Sequence, residues 1–358
     1  MKRMTAKLVY IGVVAFLVVG LLIVGYAQQA YTAKKIFRTE VRTTGFGGIC
    51  YVMGFANADI LNKKSSWVRC SPLESTGSTE NIKSVGHDPK KRKRTFFTTG
   101  YGMYLRALAG ESPMNDKPEL YKDLMPIRAS EKIGFVMYTL DPTIKTVKDL
   151  KGKTVGTWGK GTMKFFETQS YIGLKDVIDS VKWAHSGYQS YDGMILGTVD
   201  AVVAFAAEVA LHKYAPTPAL AELIAKGKKL YIVSRTPESI KISKKVYGDG
   251  LSTPCPIRKD AIAPGLPEKG GAIAYLNPIG YSVYPEFPED VVYEILKTTT
   301  DNWEMYKDYH PSGPAWAPEN MGLFPVPKER WHPAAKKFFE ERKINYGLDF
   351  FNEVYGAK

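Results

Sequence analysis

"TTGFGGICYVMG", Thr43 to Gly54, decides how this chain is read. Small and hydroxyl-bearing residues crowd together, and an apolar run follows. Before it, "IFRTEVRTTG" (Ile36–Gly45) has the β-branched and aromatic content of a strand. After it, "ICYVMGFANADILNK" puts Ile49, Val52, Met53, Ala56 and Ile60 near one helical face. Glycine lets the backbone approach closely, and the first N–H groups of a helix lack intrahelical partners and carry partial positive charge. Such a turn suits a carboxylate or phosphate. It is also how an ordinary helix begins, so recurrence is what matters.

The device recurs. "STGSTEN" (Ser75–Asn81) and "GTWGKGT" (Gly156–Thr162) again place glycines and hydroxyls between a strand and a helix. Alternation runs through the chain. "WVRCSPLES" and "TFFTTG" read as strands, with helices at "TGSTENIKSV" and "YGMYLRALAG". "MPIRASEKIGFVMYTLDP" reads as paired strands, and "TVKDLKGKTVGTWGKG" as a short helix, a strand and a loop before the helix "TMKFFETQSYIGL". "SYDGMILGTVDAVVAFAAEVALHKY" predicts a helix, a buried strand at Ala201–Phe205 and a second helix start. "AELIAKGKKLYIVS" adds a helix and strand, and Pro237–Gly271 has weak periodicity. "AIAYLNPIGYSVYPE" is extended chain crossing back, and amphipathic helices follow at "PEDVVYEILKTTTDNWEMYKDY" and "PAAKKFFEERKINYG". Strand–helix alternation is the signature of a layered α/β fold, in which ligands sit at the strands' carboxyl ends. The expected division is 36–125 plus 281–358 as one lobe and 126–280 as the other.

The start of the chain reads as a leader. Lys2, Arg3 and Lys7 precede the uncharged run Leu8–Tyr26, and Gly25 and Ala27 supply a small-x-small exit. Cleavage is expected after Ala27, with Ala30 as second choice; kept, residues 1–27 would tether the protein to a membrane. Either outcome puts the bulk of the chain outside the cytoplasm. The net charge of +13 becomes +10 without Lys2, Arg3 and Lys7, since residues 1–27 contain no acid. Most of that charge is scattered. Lys90–Arg94 is the exception, but it lacks the aromatic spacing of a nucleic-acid surface and reads as a solvated loop that could attract anions. Cys50, Cys70 and Cys255 show no spacing that selects a bridge, and no disulfide is expected.

Catalytic and metal motifs are not evident. His87, His185, His212, His310 and His332 are far apart, and there is no Cys-x-x-Cys pair. No G-x-S-x-G elbow occurs, and "GTWGKGT" departs from G-x-x-x-x-G-K-[ST]. No cofactor is expected.

"TTGFGGICYVMG", "ESTGSTENIKSV", "IKTVKDLKGKTVGTWGKGT", "LGTVDAVVAF" and "FPEDVVYEILK", in this order over most of residues 38–300, resemble the TAXI family of solute receptors. These are extracytoplasmic binding proteins that serve TRAP-type transporters. The resemblance implies a two-lobed periplasmic-binding-protein fold of type II kind, with hinge crossover strands and an interlobe cleft. It implies a small organic acid or amino acid as solute, a TRAP-type membrane permease as partner and no enzymatic activity. Carried over by position, Thr44, Gly45, Phe46, Gly48 and Tyr51 match the first ligand loop, and Ser75, Thr76, Ser78 and Asn81 the second. Thr99 and Tyr101 stand at a third loop of the same lobe; Lys160, Gly161 and Thr162 match the loop of the other, with Phe205 beyond its buried strand. The first two loops each carry one glycine fewer than the family's, Trp158 is bulky where small residues are usual, and a lysine-rich segment replaces a "GEADLG"-like stretch. The rivals are an exported sensor for a signalling receptor, an exported enzyme with the same cleft and a polyanion-binding surface protein.

Overall fold

Three parallel strands organise the N-terminal part of the molecule, a computed structural model that describes residues 34–46, 48–159, 163–248 and 253–356. β1 (Phe37–Arg42) leads through the first glycine loop into α1 (Ile49–Lys64), and β2 (Val68–Leu73) leads into α2 (Ser78–Gly86). A single helical turn, α3 (Pro89–Arg92), precedes β3 (Thr95–Gly100), which passes directly into α4 (Tyr101–Ala109). β1 lies between β2 and β3, parallel to both, and parallel neighbours require crossovers of the kind α1 and α2 supply.

Lys90–Arg92 of the basic run are helical rather than a loop, and Lys93 and Arg94 turn into β3. Pro89 fits the first turn, and Asp88 accepts from the N–H groups of Lys90 and Lys91. Its cations also have protein partners: Arg92 sits 4.3 Å from the Tyr284 ring centre and 3.4 Å from Glu286, and Arg94 lies 3.1 Å from Glu40.

The next segment is one strand, β4 (Met125–Thr139), where the sequence suggested a pair. Glu131 and Lys132 look like turn residues, but both are buried. β5 (Thr154–Gly156), α5 (Met163–Ile172), α6 (Lys175–Ser180), β6 (Lys182–Ala184) and α7 (Ser190–Ile195) follow. β7 (Ala201–Ala210) outruns the expected strand and turns at His212, φ 60°, into β8 (Lys213–Ala215). Helix propensity in "AAEVA" yields to pairing on both flanks, with β4 and β8. α8 (Pro218–Ala225), β9 (Tyr231–Ile232), α9 (Pro237–Tyr247) and β10 (Pro254–Ile257) complete this part. Within the weakly periodic Pro237–Gly271 segment, a Thr236–Ser239 capping box starts α9. β11 (Ala272–Val283) crosses back, and α10 (Glu289–Asp301), α11 (Pro333–Arg342) and α12 (Leu348–Tyr355) close the chain.

All strands join one mixed sheet, with order β2-β1-β3-β11-β4-β7-β5-β6 along its main path. β4 and β11 pair antiparallel along their length, from Met125–Val283 to Phe135–Tyr275. The Val283 end of β11 lies against β3, and the Thr139 end of β4 lies against β7. These two strands therefore connect the two halves of the sheet. A bulge interrupts them, because Ala129 to Lys132 on β4 faces the shorter step from Gly280 to Pro278 on β11. The extra residue brings Arg128, Glu131, Ile133 and Phe135 to one face, shared by Tyr281, Asn277 and Tyr275 of β11 and Phe205 of β7. Lys132, Glu208 and Gly280 point to the other.

That other face receives α12. Tyr355 donates its hydroxyl to Glu208 Oε2 at 2.5 Å, and its ring lies 5.4 Å from that of His212. The last helix thus packs on the β7 half, whereas the sequence assigned all of 281–358 to the first lobe. Among the described residues no helix is long and apolar enough to cross a membrane, and the expected leader, residues 1–27, lies outside them.

Candidate functional site

The carboxyl ends of β1, β2 and β3 are tied by one carbonyl. Thr43 O accepts from Ser75 Oγ at 2.8 Å, Asn81 Nδ2 at 2.8 Å and Thr98 Oγ1 at 3.0 Å. Asn81 is fully buried and both ends of its amide are engaged: Nδ2 also donates to Thr98 O, and Oδ1 accepts from Arg42 Nε. Asn81 is accordingly a clasp between strands, correcting the expectation that its amide faces a solute. Arg42 also pairs with Glu80, whose other oxygen accepts from the backbone and hydroxyl of Thr76. The Thr76 backbone bond leads the groups that hold the Glu80 carboxyl below its ordinary range.

This knot sets three helix starts side by side. α1, α2 and α4 begin at Gly48, Gly77 and Gly100, and none of the three has a side-chain cap. Gly77, at φ 118°, occupies backbone space that other residues rarely adopt. Ser75 Oγ accepts from Gly77 N, and Ser78 Oγ accepts from Gly100 N at 2.9 Å, so the second loop is stitched to the third. α3, α8, α9 and α11 do carry side-chain caps. A bare start is not diagnostic alone, since α12 has one at Gly347. What distinguishes the three is their convergence above one sheet end, a setting in which helix N-termini favour an anion.

The structure gathers Thr44, Gly45, Gly48, Ser75, Thr76 and Ser78 around this notch. A Cβ on Gly45 would meet only Ser75 O, at 3.9 Å. Phe46 stands out, 81% exposed, with its ring 5.4 Å from Tyr51, which in turn lies 4.5 Å from Phe55. Thr99 is turned away: it pairs with Gly280, on the sheet face opposite to Gly100. Tyr101 is buried with its ring 5.8 Å from Phe324. The expectation that Thr99 and Tyr101 line the cleft is corrected by this strand parity and packing. Lys160, Gly161 and Thr162 lie outside the described residues.

Across the notch stands the start of α5. Lys164 Nζ is 4.7 Å from the Trp158 ring centre and 4.9 Å from that of Phe205, whose own ring packs edge-on against Phe135 at 4.4 Å. Burial lowers the Lys164 pKa. One turn further, buried Glu167 is pushed up to about 8 by desolvation, with Lys164 opposing. Glu167 Oε1 accepts from Asn277 Nδ2 at 3.4 Å, and a Cβ on Gly100 would lie 3.3 Å from Asn277 Oδ1. Asn277 therefore meets the α4 start on one side and α5 on the other. On the same sheet face as Asn277 is Glu131, 2% exposed, beside Cys50 in the first turn of α1. Desolvation raises its pKa. All three cysteines are buried free thiols.

Glu131, Lys164, Glu167 and Asn277 were missed in the sequence. Their only signal was polarity inside apolar runs, "RASEKIGF" and "AYLNPIG", which reads equally as turns.

The sequence model of the NMT1-like family matches residues 41–342, from the end of β1 to the end of α11. The chain belongs to the NMT1-like family. Among solved structures, the NMT1-like chain is similar to MatC from Rhodopseudomonas palustris with bound malate, at 14% identity and TM-score 0.45 over 88% of this chain and 98% of that one. It is similar to the periplasmic binding protein BugD at 11% identity and TM-score 0.45, over 90% of this chain and 96% of that one. For the periplasmic aliphatic sulphonate binding protein SsuA from Escherichia coli the values are 14% and 0.43, over 90% of this chain and 97% of that one. No curated protein sequence matches the NMT1-like chain.

Proposed function

We propose that the NMT1-like chain is an exported solute receptor that captures a small organic anion or amino acid by its carboxylate. It hands the solute to a TRAP-type secondary permease, the partner implied by the TAXI-like motifs. The carrying observation is the convergence of three glycine-started helices, α1, α2 and α4, on one notch held rigid by the Thr43 carbonyl. An anion at a helix N-terminus gains roughly 0.3–1 kcal/mol per helix at exposed sites and up to about 2 where partly buried.

Capture has a second partner in the α5 half. The solute docks on the notch, and the half bearing Trp158, Lys164 and Phe205 swings over it about β4 and β11, removing water. Closure is favoured only by contacts made in the closed form, and the closed surface is what the permease reads. The protein binds and releases; it performs no chemistry on the solute.

The test is native mass spectrometry of protein purified without added solute, followed by calorimetry with the acid recovered. Gly45→Leu should lower affinity at least tenfold while leaving the melting temperature unchanged, because its Cβ has room and its side chain fills the notch. Undiminished affinity in a folded Gly45→Leu protein would rule out the notch as the place where the solute binds.

A further inference from the structure

We propose that the floor of the cleft holds a second subsite, formed by Glu131, Asn277 and Glu167, which accepts hydrogen bonds from a protonated amine of the solute. It rests on the receptor reading above and assigns the other end of the same ligand. The occupant is an amino-carboxylic acid: its carboxylate faces the α1, α2 and α4 starts, and its ammonium faces the floor.

Two buried acceptor atoms carry the argument. Glu131 Oε1 and Asn277 Oδ1 have no hydrogen-bond partner among the described residues. Buried polar atoms in folded proteins are almost always satisfied, so each orphan needs an explanation. The strand register puts both on one face: Asn277 pairs with Ile133, two residues beyond Glu131, making them diagonal neighbours across β4 and β11. Glu131 lies under the first turn of α1, and Asn277 Oδ1 lies against the start of α4. Both acceptors therefore border the notch.

Neighbouring donors do not meet this need. Arg128 gives Nε to Ala129 O, Nη1 to Thr299 Oγ1 and Nη2 to Trp316 O, and stacks 4.5 Å over the Trp316 ring. Ser130 donates to the other Glu131 oxygen. Cys50 offers only a weak S–H donor, the Tyr281 hydroxyl accepts from Asn57 Nδ2, and the Tyr306 hydroxyl donates to Asn57 Oδ1. On the α5 side, Lys164 lies over two aromatic rings. An ammonium group has three N–H donors and no acceptor, which complements this floor. It would also let the buried carboxyls ionise. Glu167, half-protonated at about pH 8, would lose its proton when the cation arrives near neutral pH.

The experiment uses matched acids, glutarate, 2-hydroxyglutarate and glutamate, with succinate, malate and aspartate as the shorter set. Calorimetry at pH 7 in buffers of different ionisation enthalpy reads affinity and protons released together. The amino member of a set should bind about tenfold or more tighter than its hydroxy and unsubstituted partners, and with proton release. Glu131→Gln and Asn277→Leu should each reduce that preference, with folding checked by thermal melts. If Asn277→Leu does not fold, Glu167→Gln serves, and it should abolish most of the proton release. Equal or tighter binding of the unsubstituted or hydroxy acids overturns the amine subsite and leaves the receptor standing. Silence from every acid, in protein shown to be folded, removes the carboxylate receptor and the subsite with it.

Discussion

Adding one methyl group at Gly54 tests how α1 is seated. Gly54 lies in the interior of α1, and a Cβ there would fall 2.1 Å from Thr43 Cγ2 and 3.1 Å from Thr43 Cβ. No side chain accommodates 2.1 Å, so Gly54→Ala must either turn Thr43 out of its hydrogen bond to Leu73 O or push α1 away from the end of β1. Overpacking of this kind costs about 1–3 kcal/mol. The same change gains about 0.8–1 kcal/mol of helix propensity, which partly offsets it. The expected net loss is about 1 kcal/mol, and at most about 2, in urea unfolding. Thr43→Ser removes the clashing methyl but keeps the hydroxyl that donates to Leu73 O at 3.1 Å. The double variant should recover most of the loss, a coupling above the roughly 0.3–0.5 kcal/mol error of additivity. Because α1 begins at the notch, solute affinity should fall and recover in parallel. Simple additivity, or a Gly54→Ala protein as stable as the parent, would refute the close approach of α1 to β1.

Other variants address the clasp, the floor and the last helix. Asn81→Leu deletes three buried hydrogen bonds at about 1 kcal/mol each, so denaturant melts should show a loss of about 3 kcal/mol. Glu167 binds its proton more tightly folded, at about pH 8, than unfolded, near the ordinary value of about 4.3. Between those limits the folded state holds more protons, so stability should fall as pH rises, by at most about 1.4 kcal/mol per unit. Glu167→Gln should flatten that slope in melts at pH 5 and pH 8; an unchanged slope counts against a buried neutral carboxyl. Tyr355→Phe keeps the ring against Phe351 and His212 but leaves Glu208 one donor short, with an expected loss of about 1–3 kcal/mol in urea.

What could be read in the sequence was local. Strand, glycine loop and helix between Ile36 and Gly110 fall within a few residues of β1–α4 because periodicity and turn chemistry are short-range signals. The interior of the sheet was harder. Glu131 and Lys132 suggested a turn since nothing nearby reveals that Arg128 and Glu208 flank them in the fold. "AAEVA" has helical propensity, and only its distant partners β4 and β8 make it a strand. Loop chemistry likewise pointed to Ser75 and Ser78, but it could not separate Asn81, whose amide closes the knot, from residues that face a solute. Thr99 next to Gly100 shows the same limit, because one position along a strand reverses the side chain's direction.

The placement of α12 has a mechanical consequence. Two strands alone would let the parts twist as well as bend about their common ribbon. Here the polypeptide leaves α11, which packs on α10 and the start of β4, and, after only residues 343–347, grips Glu208 behind the β7 part. That short span is a tether on the reverse side of the mouth. In the closure proposed above, such a tether would resist torsion and wide gaping between the two parts.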